Sequence, residues 1–252
     1  PVVIANAAQE AVLRDGAKRA GVPLRGLLLA PVPRDSAAAI AAAAAWIEAR
    51  HGGDAILAVL PADHLIADAA AFRAALAAAA SVAHDGFIVT LGMAPDRPAT
   101  EFGYIERGAA LNGHAQAYAV ARFKEKPARE AAEDYVASGR FDWNAGMFIF
   151  RADAFAAEAA QHMPDIRAGA AAAVAEGVAD GSVHRLHPEG FAAIRKISID
   201  YALLEASTRV AVVRAAFAWS DVGNWRSVHA ALSNGDGNHL HGDVRAKDCT
   251  GS

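Results

Sequence analysis

Cysteine is nearly absent from this chain: Cys249 stands alone among 252 residues, which excludes an internal disulfide and fits a reducing compartment. Aromatic residues are scarce as well, at 7%, although hydrophobic residues reach 54% because alanine supplies much of that share. Such a mix implies Ala-rich helices packed closely on a sheet, in a chain long enough to bury a core without metal or disulfide staples. No long apolar run is present. The most apolar stretch, 37–47, is about half the length that spans a bilayer, and Glu48 and Arg50 follow it at once. A membrane span is therefore not expected, and no secretory signal pattern opens the chain. Runs of like charge and basic stripes are also missing, with a net charge of −4. That balance argues against nucleic acid as a main partner. No internal repeat is found, and no Ser/His/Asp or Cys/His spacing marks a nucleophile.

What is there is an alternation of strand and helix. The short run 2–5 is followed by a helical segment over 8–20 that Gly21 ends. The apolar run 26–30 follows, then Pro31 and Pro33. Ser36 reads as the N-cap of a helix over 37–50. The run 55–60 has the look of a strand buried on both faces, a helix covers 69–83, and a strand covers 87–91. Repeated β-α-β units imply a mostly parallel sheet with helices on both faces, and ligands beyond the carboxyl ends of its strands. Further on, strands are expected at 117–123, 147–150 and 210–219, and helices at 152–160 and 224–232. Residues 165–195 add an Ala-rich helix and a His/Pro/Gly loop. From Ser233 the composition turns to Gly, Asn, Asp and His, which sets a boundary between a core at 1–232 and a tail at 233–252.

Four polar segments follow apolar strands directly. Asp63, in Pro61-Ala62-Asp63-His64, could hold a hard cation such as Mg²⁺. Capping of the next helix is the plainer account of that Asp taken alone. Asp221, in Trp219-Ser220-Asp221-Val222-Gly223, repeats the arrangement, and taken alone it is equally well an N-terminal cap for the helix through Trp225. Two carboxylates at strand ends could meet across one metal. Lys124, Glu125 and Lys126 end another strand, where a Lys could meet a phosphate and a Glu a sugar hydroxyl; a solvated strand end is the alternative. Asn144 stands beside Gly146, which allows close approach of a ligand to the backbone, or marks only a turn before a strand. The Gly/Asp/His-rich stretch 235–243 matches no metal-ligand spacing and reads as a linker.

In their order these segments resemble the mannose-1-phosphate guanylyltransferase family. The matching pieces are 30–37, 60–64, Phe102-Gly103-Tyr104-Ile105, Phe123-Lys124-Glu125-Lys126-Pro127, 143–148, Ser198-Ile199-Asp200-Tyr201 and 219–225. The resemblance implies a Rossmann-like, three-layer α/β/α nucleotidyltransferase core with a mostly parallel mixed sheet, followed by the start of a β-rich C-terminal arm. It implies transfer of GMP from GTP to mannose 1-phosphate in a cytoplasmic enzyme of polysaccharide biosynthesis, with Mg²⁺ held by Asp63 and Asp221. Lys126 joins them as a catalytic residue. Glu125 and Lys126 then contact the sugar and its phosphate, Gly103, Tyr104, Asn144 and Asp200 line the sugar pocket, and Arg34 lies near the nucleotide. A homodimer is within the expectation.

Two departures from the family pattern stand out. The family opens with a strand and a Gly-rich phosphate-cradling loop, whereas this chain opens on what reads as the second strand. The family's Arg-Asn-Thr-Ala-Pro is Arg34-Asp35-Ser36-Ala37-Ala38 here, which adds a like charge near the phosphates. The remaining alternatives are a sister uridylyl- or thymidylyltransferase and a non-catalytic nucleotide-sugar-binding regulator.

Overall fold

The structure is a computed structural model that describes residues 1–232. The expected boundary at Ser233, the arm and Cys249 lie outside the described residues. The chain runs β1 (Val2–Asn6), a 3₁₀ turn (Ala7–Gln9), α1 (Glu10–Arg19), β2 (Gly26–Ala30), α2 (Asp35–His51), β3 (Ile56–Val59) and β4 (Leu65–Ile66). It continues with α3 (Ala69–His84), β5 (Ile88–Met93), β6 (Tyr104–Ala110), β7 (Ala117–Lys124), α4 (Arg129–Ser138) and β8 (Phe141–Arg151). Then come α5 (Ala152–His162), α6 (Pro164–Ala175), β9 (Val178–Asp180), β10 (Val183–Arg185) and α7 (Pro188–Ala193). A π-type turn (Asp200–Leu204), β11 (Val210–Ala215), β12 (Trp219–Ser220) and α8 (Trp225–Leu232) complete it.

The strands form a sheet ordered β1-β2-β10-β9, a larger one ordered β3-β8-β5-β11-β7-β6, and a ribbon of β4 with β12. Parallel pairing joins β1, β2 and β10, and also β5 and β11. The mixed α/β architecture is as expected, with more antiparallel pairing than the β-α-β pattern implied. Much of it comes from β8, which pairs antiparallel with β3, β5 and β6, and from β7, which pairs antiparallel with β6 and β11. One apolar cluster gathers α2, α5, α6 and α7 with Leu28, Leu57 and Phe150; a second gathers α3 and Tyr135 of α4 with Val89, Leu91 and Ile149. Buried Ala37, Ala38, Ala41, Ala42 and Ala44 on α2 bring that helix close to α5 and α6.

Several expectations are corrected. Ser36 is not an N-cap: α2 starts at Asp35, and the Ser36 hydroxyl instead accepts the Ile199 backbone N–H at 2.9 Å. Strand β3 is not buried on both faces but forms a sheet edge, with Ile56 40% and Leu60 42% exposed. The expected short strand at 147–150 is the second half of the eleven-residue β8. The strand expected over 210–219 is two, β11 and β12, in different sheets. Strands β6, β9 and β10 and helix α4 had no expected counterpart.

One charged group is wholly interior. Asp142 on β8 is 0% exposed and accepts from Arg107 on β6 at 2.7 Å and from Arg214 on β11 at 3.2 Å. This triad ties three strands of the larger sheet together.

Candidate functional site

The loop after β3 and the loop after β12 are held side by side. Strands β4 and β12 pair antiparallel, with Trp219 opposite Ile66 and Ser220 opposite Leu65. The Trp219 indole N–H donates to His64 Nδ1 at 3.1 Å, and the two rings meet edge-on at 5.5 Å. This bond places the proton of neutral His64 on Nε2. Burial lowers the His64 pKa against the opposing pull of Asp63 and Asp221, whose carboxylates both act on the ring.

Neither carboxylate caps a described helix. The cap of α3 is Asp68, which accepts from the backbone N–H groups of Ala70 and Ala71. The cap of α8 is Asn224, in a reciprocal exchange with Ser227. Asp63 and Asp221 thus lose the capping role that the sequence left open, and neither takes a side-chain hydrogen bond or ion pair from a described residue. Gly223 exists for Asp221: a Cβ there would stand 2.6 Å from Asp221 Oδ2.

A second cluster lies beyond the end of β7. Lys126 Nζ is 3.3 Å from Glu125 Oε1, and the Glu125 backbone N–H donates to Glu205 at 3.0 Å. Burial raises the Glu125 pKa, and nearby Asp200 raises it further. Asp200, in the π-type turn, is likewise raised by burial. The Glu125 hydrogen bond raises the Lys126 pKa, so the ammonium stays charged. Asn144 donates through Nδ2 to Asp200 Oδ1 at 3.0 Å, and its backbone N–H donates to the Gly103 carbonyl at 2.8 Å. Gly103 leaves room for both neighbours, since a Cβ there would stand 2.5 Å from Glu125 Oε2 and 3.3 Å from Asn144 Cβ. Gly103, Glu125, Lys126, Asn144 and Asp200 are therefore one constellation.

The two clusters adjoin. Phe102, next to Gly103, meets Trp219 at 5.2 Å between ring centroids, and a Cβ on Gly146 would lie 4.0 Å from His64 Cε1. Beside Asp221, a cavity of about 670 Å³ is lined by Phe102, Trp143, Trp219 and Arg97. Three of the four described non-glycine residues with positive φ belong to these loops or their neighbours: Asp35 at 68°, Lys126 at 45° and Val222 at 50°. A β-branched residue such as Val222 rarely adopts that conformation, and backbone strain of this kind concentrates at functional sites.

Two expected site residues are placed differently. Arg34 turns its guanidinium onto the Ala192 carbonyl at the end of α7, while its Nε is buried without a partner. Tyr104 is fully buried beside Tyr135, so its ring belongs to the core and not to a surface. Residues that the motifs did not mark are Thr90, whose buried hydroxyl donates to Asn144 Oδ1 at 2.7 Å, and Glu205. A lone Thr in the apolar run 88–91 was the one available signal for the first.

Asp63 and Asp221 could offer carboxylate oxygens to a hard divalent ion that keeps water and substrate oxygens as further ligands. No group of three or more His, Cys, Asp or Glu able to hold a metal occurs among the described residues. A cation here would be completed from outside the protein.

Residues 1–235 match the family model described as nucleotidyl transferase. The chain is 42% identical over 247 residues to a mannose-1-phosphate guanylyltransferase of Sinorhizobium fredii, covering 98% of this chain and 48% of the relative. It is 39% identical over 249 residues to a mannose-1-phosphate guanylyltransferase of Escherichia coli, covering 97% of this chain and 52% of the relative. The chain thus spans about half the length of the curated relatives it matches. Among solved structures, one described as mannose-1-phosphate geranyltransferase from Thermus thermophilus superposes with a TM-score of 0.78 at 35% identity, over 94% of this chain and 65% of that one. Another, described as mannose-6-phosphate isomerase from Helicobacter pylori, gives 0.76 at 32% identity, over 87% of this chain and 83% of that one. No described helix is long and apolar enough to cross a membrane.

Proposed function

Because the chain belongs to the nucleotidyl transferase family, we propose that it transfers GMP from GTP to mannose 1-phosphate, giving GDP-mannose and pyrophosphate. One observation carries this reading. Asp63 and Asp221 stand at two strand ends, with no side-chain hydrogen bond or ion pair from a described residue, beside a cluster of Glu125, Lys126, Asn144 and Asp200. The likeness to relatives named for that activity supports the choice of sugar and nucleotide.

The sugar phosphate attacks the α-phosphorus of the nucleotide as an oxygen nucleophile, and pyrophosphate leaves. No general base is needed, because a phosphate monoester is already an anion near neutral pH. His64 is therefore assigned no proton transfer; its Nδ1 is engaged by Trp219. Asp63 and Asp221 would hold Mg²⁺, which when bound offsets charge on the reacting phosphates. Lys126, kept charged by Glu125, brings a second cation to the sugar phosphate. Glu125 and Asp200 offer acceptors to sugar hydroxyls, and Asn144 offers a donor.

The test is pyrophosphate release by the full-length protein with mannose 1-phosphate, Mg²⁺ and each of the four nucleoside triphosphates in turn. Release with GTP alone is the expected result. Release only with UTP or dTTP would overturn the nucleotide and move the protein to a sister activity. Binding of GDP-mannose without release from any triphosphate would overturn catalysis.

A further inference from the structure

Asn144 owes its orientation to two groups on opposite sides of its amide oxygen. The Gly146 backbone N–H donates to Asn144 Oδ1 at 3.2 Å, and the Thr90 hydroxyl donates to the same atom at 2.7 Å. The first contact settles which end of the amide is oxygen, because a backbone N–H can only donate. With Oδ1 so fixed, Nδ2 faces Asp200, and one of its two hydrogens is engaged there at 3.0 Å.

The backbone explains why these groups meet. Strands β5 and β8 pair in register at Thr90–Phe148 and again at Gly92–Asn144, so one residue of β5 faces three of β8. Gly146 takes up the surplus with a φ of 66°. Across the bulge the Asn144 side chain reaches forward along β8 to Thr90, the register partner of Phe148, and not straight across to its own Gly92 partner. Thr90 is 0% exposed in a strand whose other residues are apolar or glycine, and its hydroxyl touches no substrate surface.

We infer that Thr90 is a positioning residue for the sugar-phosphate pocket, acting through Asn144 to hold Asn144 Nδ2 against Asp200. The inference rests on the reading of the Asn144–Asp200 constellation as the sugar subsite. Its hydroxyl shares the load on Oδ1, so that the amide cannot rotate to meet Asp200 with its oxygen, which would set two acceptors against each other. The methyl group only fills space. A valine at this position keeps the shape and removes the donor; a serine keeps the donor.

The experiment compares Thr90→Val and Thr90→Ser in the full-length protein by steady-state kinetics with both substrates varied. Thr90→Val is expected to raise the KM for the sugar phosphate about tenfold, the effect of one lost buried hydrogen bond, and to leave the KM for the nucleotide within about twofold. Thr90→Ser is expected to restore wild-type values. Equal changes in both KM values, or none in either, would overturn the assignment, as would failure of the serine to rescue. A readout without substrate separates this from the functional reading: the ¹⁵N side-chain amide signal of Asn144 should exchange faster with solvent in Thr90→Val than in wild type. Unchanged exchange would overturn the inference even if the enzyme proved to use another sugar. Faster exchange with no turnover of mannose 1-phosphate by wild type would keep the positioning role and remove the substrate assignment.

Discussion

Gly223→Ala isolates the position of one carboxylate from everything else. Gly223 is exposed, its φ is not positive, and the three nearest atoms to an added Cβ all belong to Asp221. The Cβ would stand 2.6 Å from Oδ2, and reaching an ordinary contact of 3.4 Å means a shift of about 0.8 Å. No hydrogen bond from a described residue holds the carboxylate, so it yields and the backbone does not. A misplacement of about 1 Å at a reacting centre costs about 10²-fold in rate, or about 2.7 kcal/mol in the barrier. The fold should be unharmed: replacing Gly by Ala where the backbone permits it stabilises by about 0.4–1 kcal/mol through the unfolded state. The expected outcome is a kcat for pyrophosphate release about a hundredfold lower, a raised Mg²⁺ requirement and an unchanged or slightly higher melting temperature. Wild-type turnover and metal dependence in a well-folded variant would refute the claim that the Asp221 carboxylate must sit where it does.

Removing Arg107 should unfold the molecule more readily without touching the site: Arg107→Met leaves the fully buried Asp142 with Arg214 alone, and urea titration should show a loss of about 3 kcal/mol. Stability without substrate should also depend on pH through Glu125 and Asp200. Both carboxyls are raised above their ordinary values by burial, so the folded state binds more protons than the unfolded one above the ordinary value, and stability falls as pH rises through the raised value. Glu125→Gln should flatten the decline in melting temperature as pH rises above the ordinary carboxylate range, raise stability at neutral pH and abolish activity. An equally steep decline in the variant would show that Glu125 is not the group responsible.

The acidic pair was legible in the sequence because Asp63 and Asp221 each follow an apolar run, and order along the chain carried the rest. Their freedom from capping was not, since Asp68 and Asn224 stand only a few residues away and the choice between caps is made by backbone geometry. Strand β8 hid because Asn144 and Gly146 are residues that strands avoid, and a bulge opposite Leu91 lets both sit inside one. Strand β6 hid because it is mostly polar or small and only its first two residues are buried. Ser36 looked like a cap because capping is the local use of a serine there; its actual partner, Ile199, is distant in sequence, and no local pattern reports it. Thr90 carried no signal beyond one hydroxyl in an apolar strand.

The bonds that close the site join residues from far ends of the chain: Ser36 to Ile199 across 163 positions, Arg34 to Ala192 across 158, and Trp219 to His64 across 155. Closing loops of that length costs entropy before any contact returns it, so such pairings form late in folding. Helices and neighbouring hairpins such as β6–β7 can form from local contacts while Asp63 and Asp221 are still apart. The proposed site therefore exists only in the finished molecule: a chain that has regained its helices but not the Trp219–His64 bond has not yet brought the loops of Asp63 and Asp221 together.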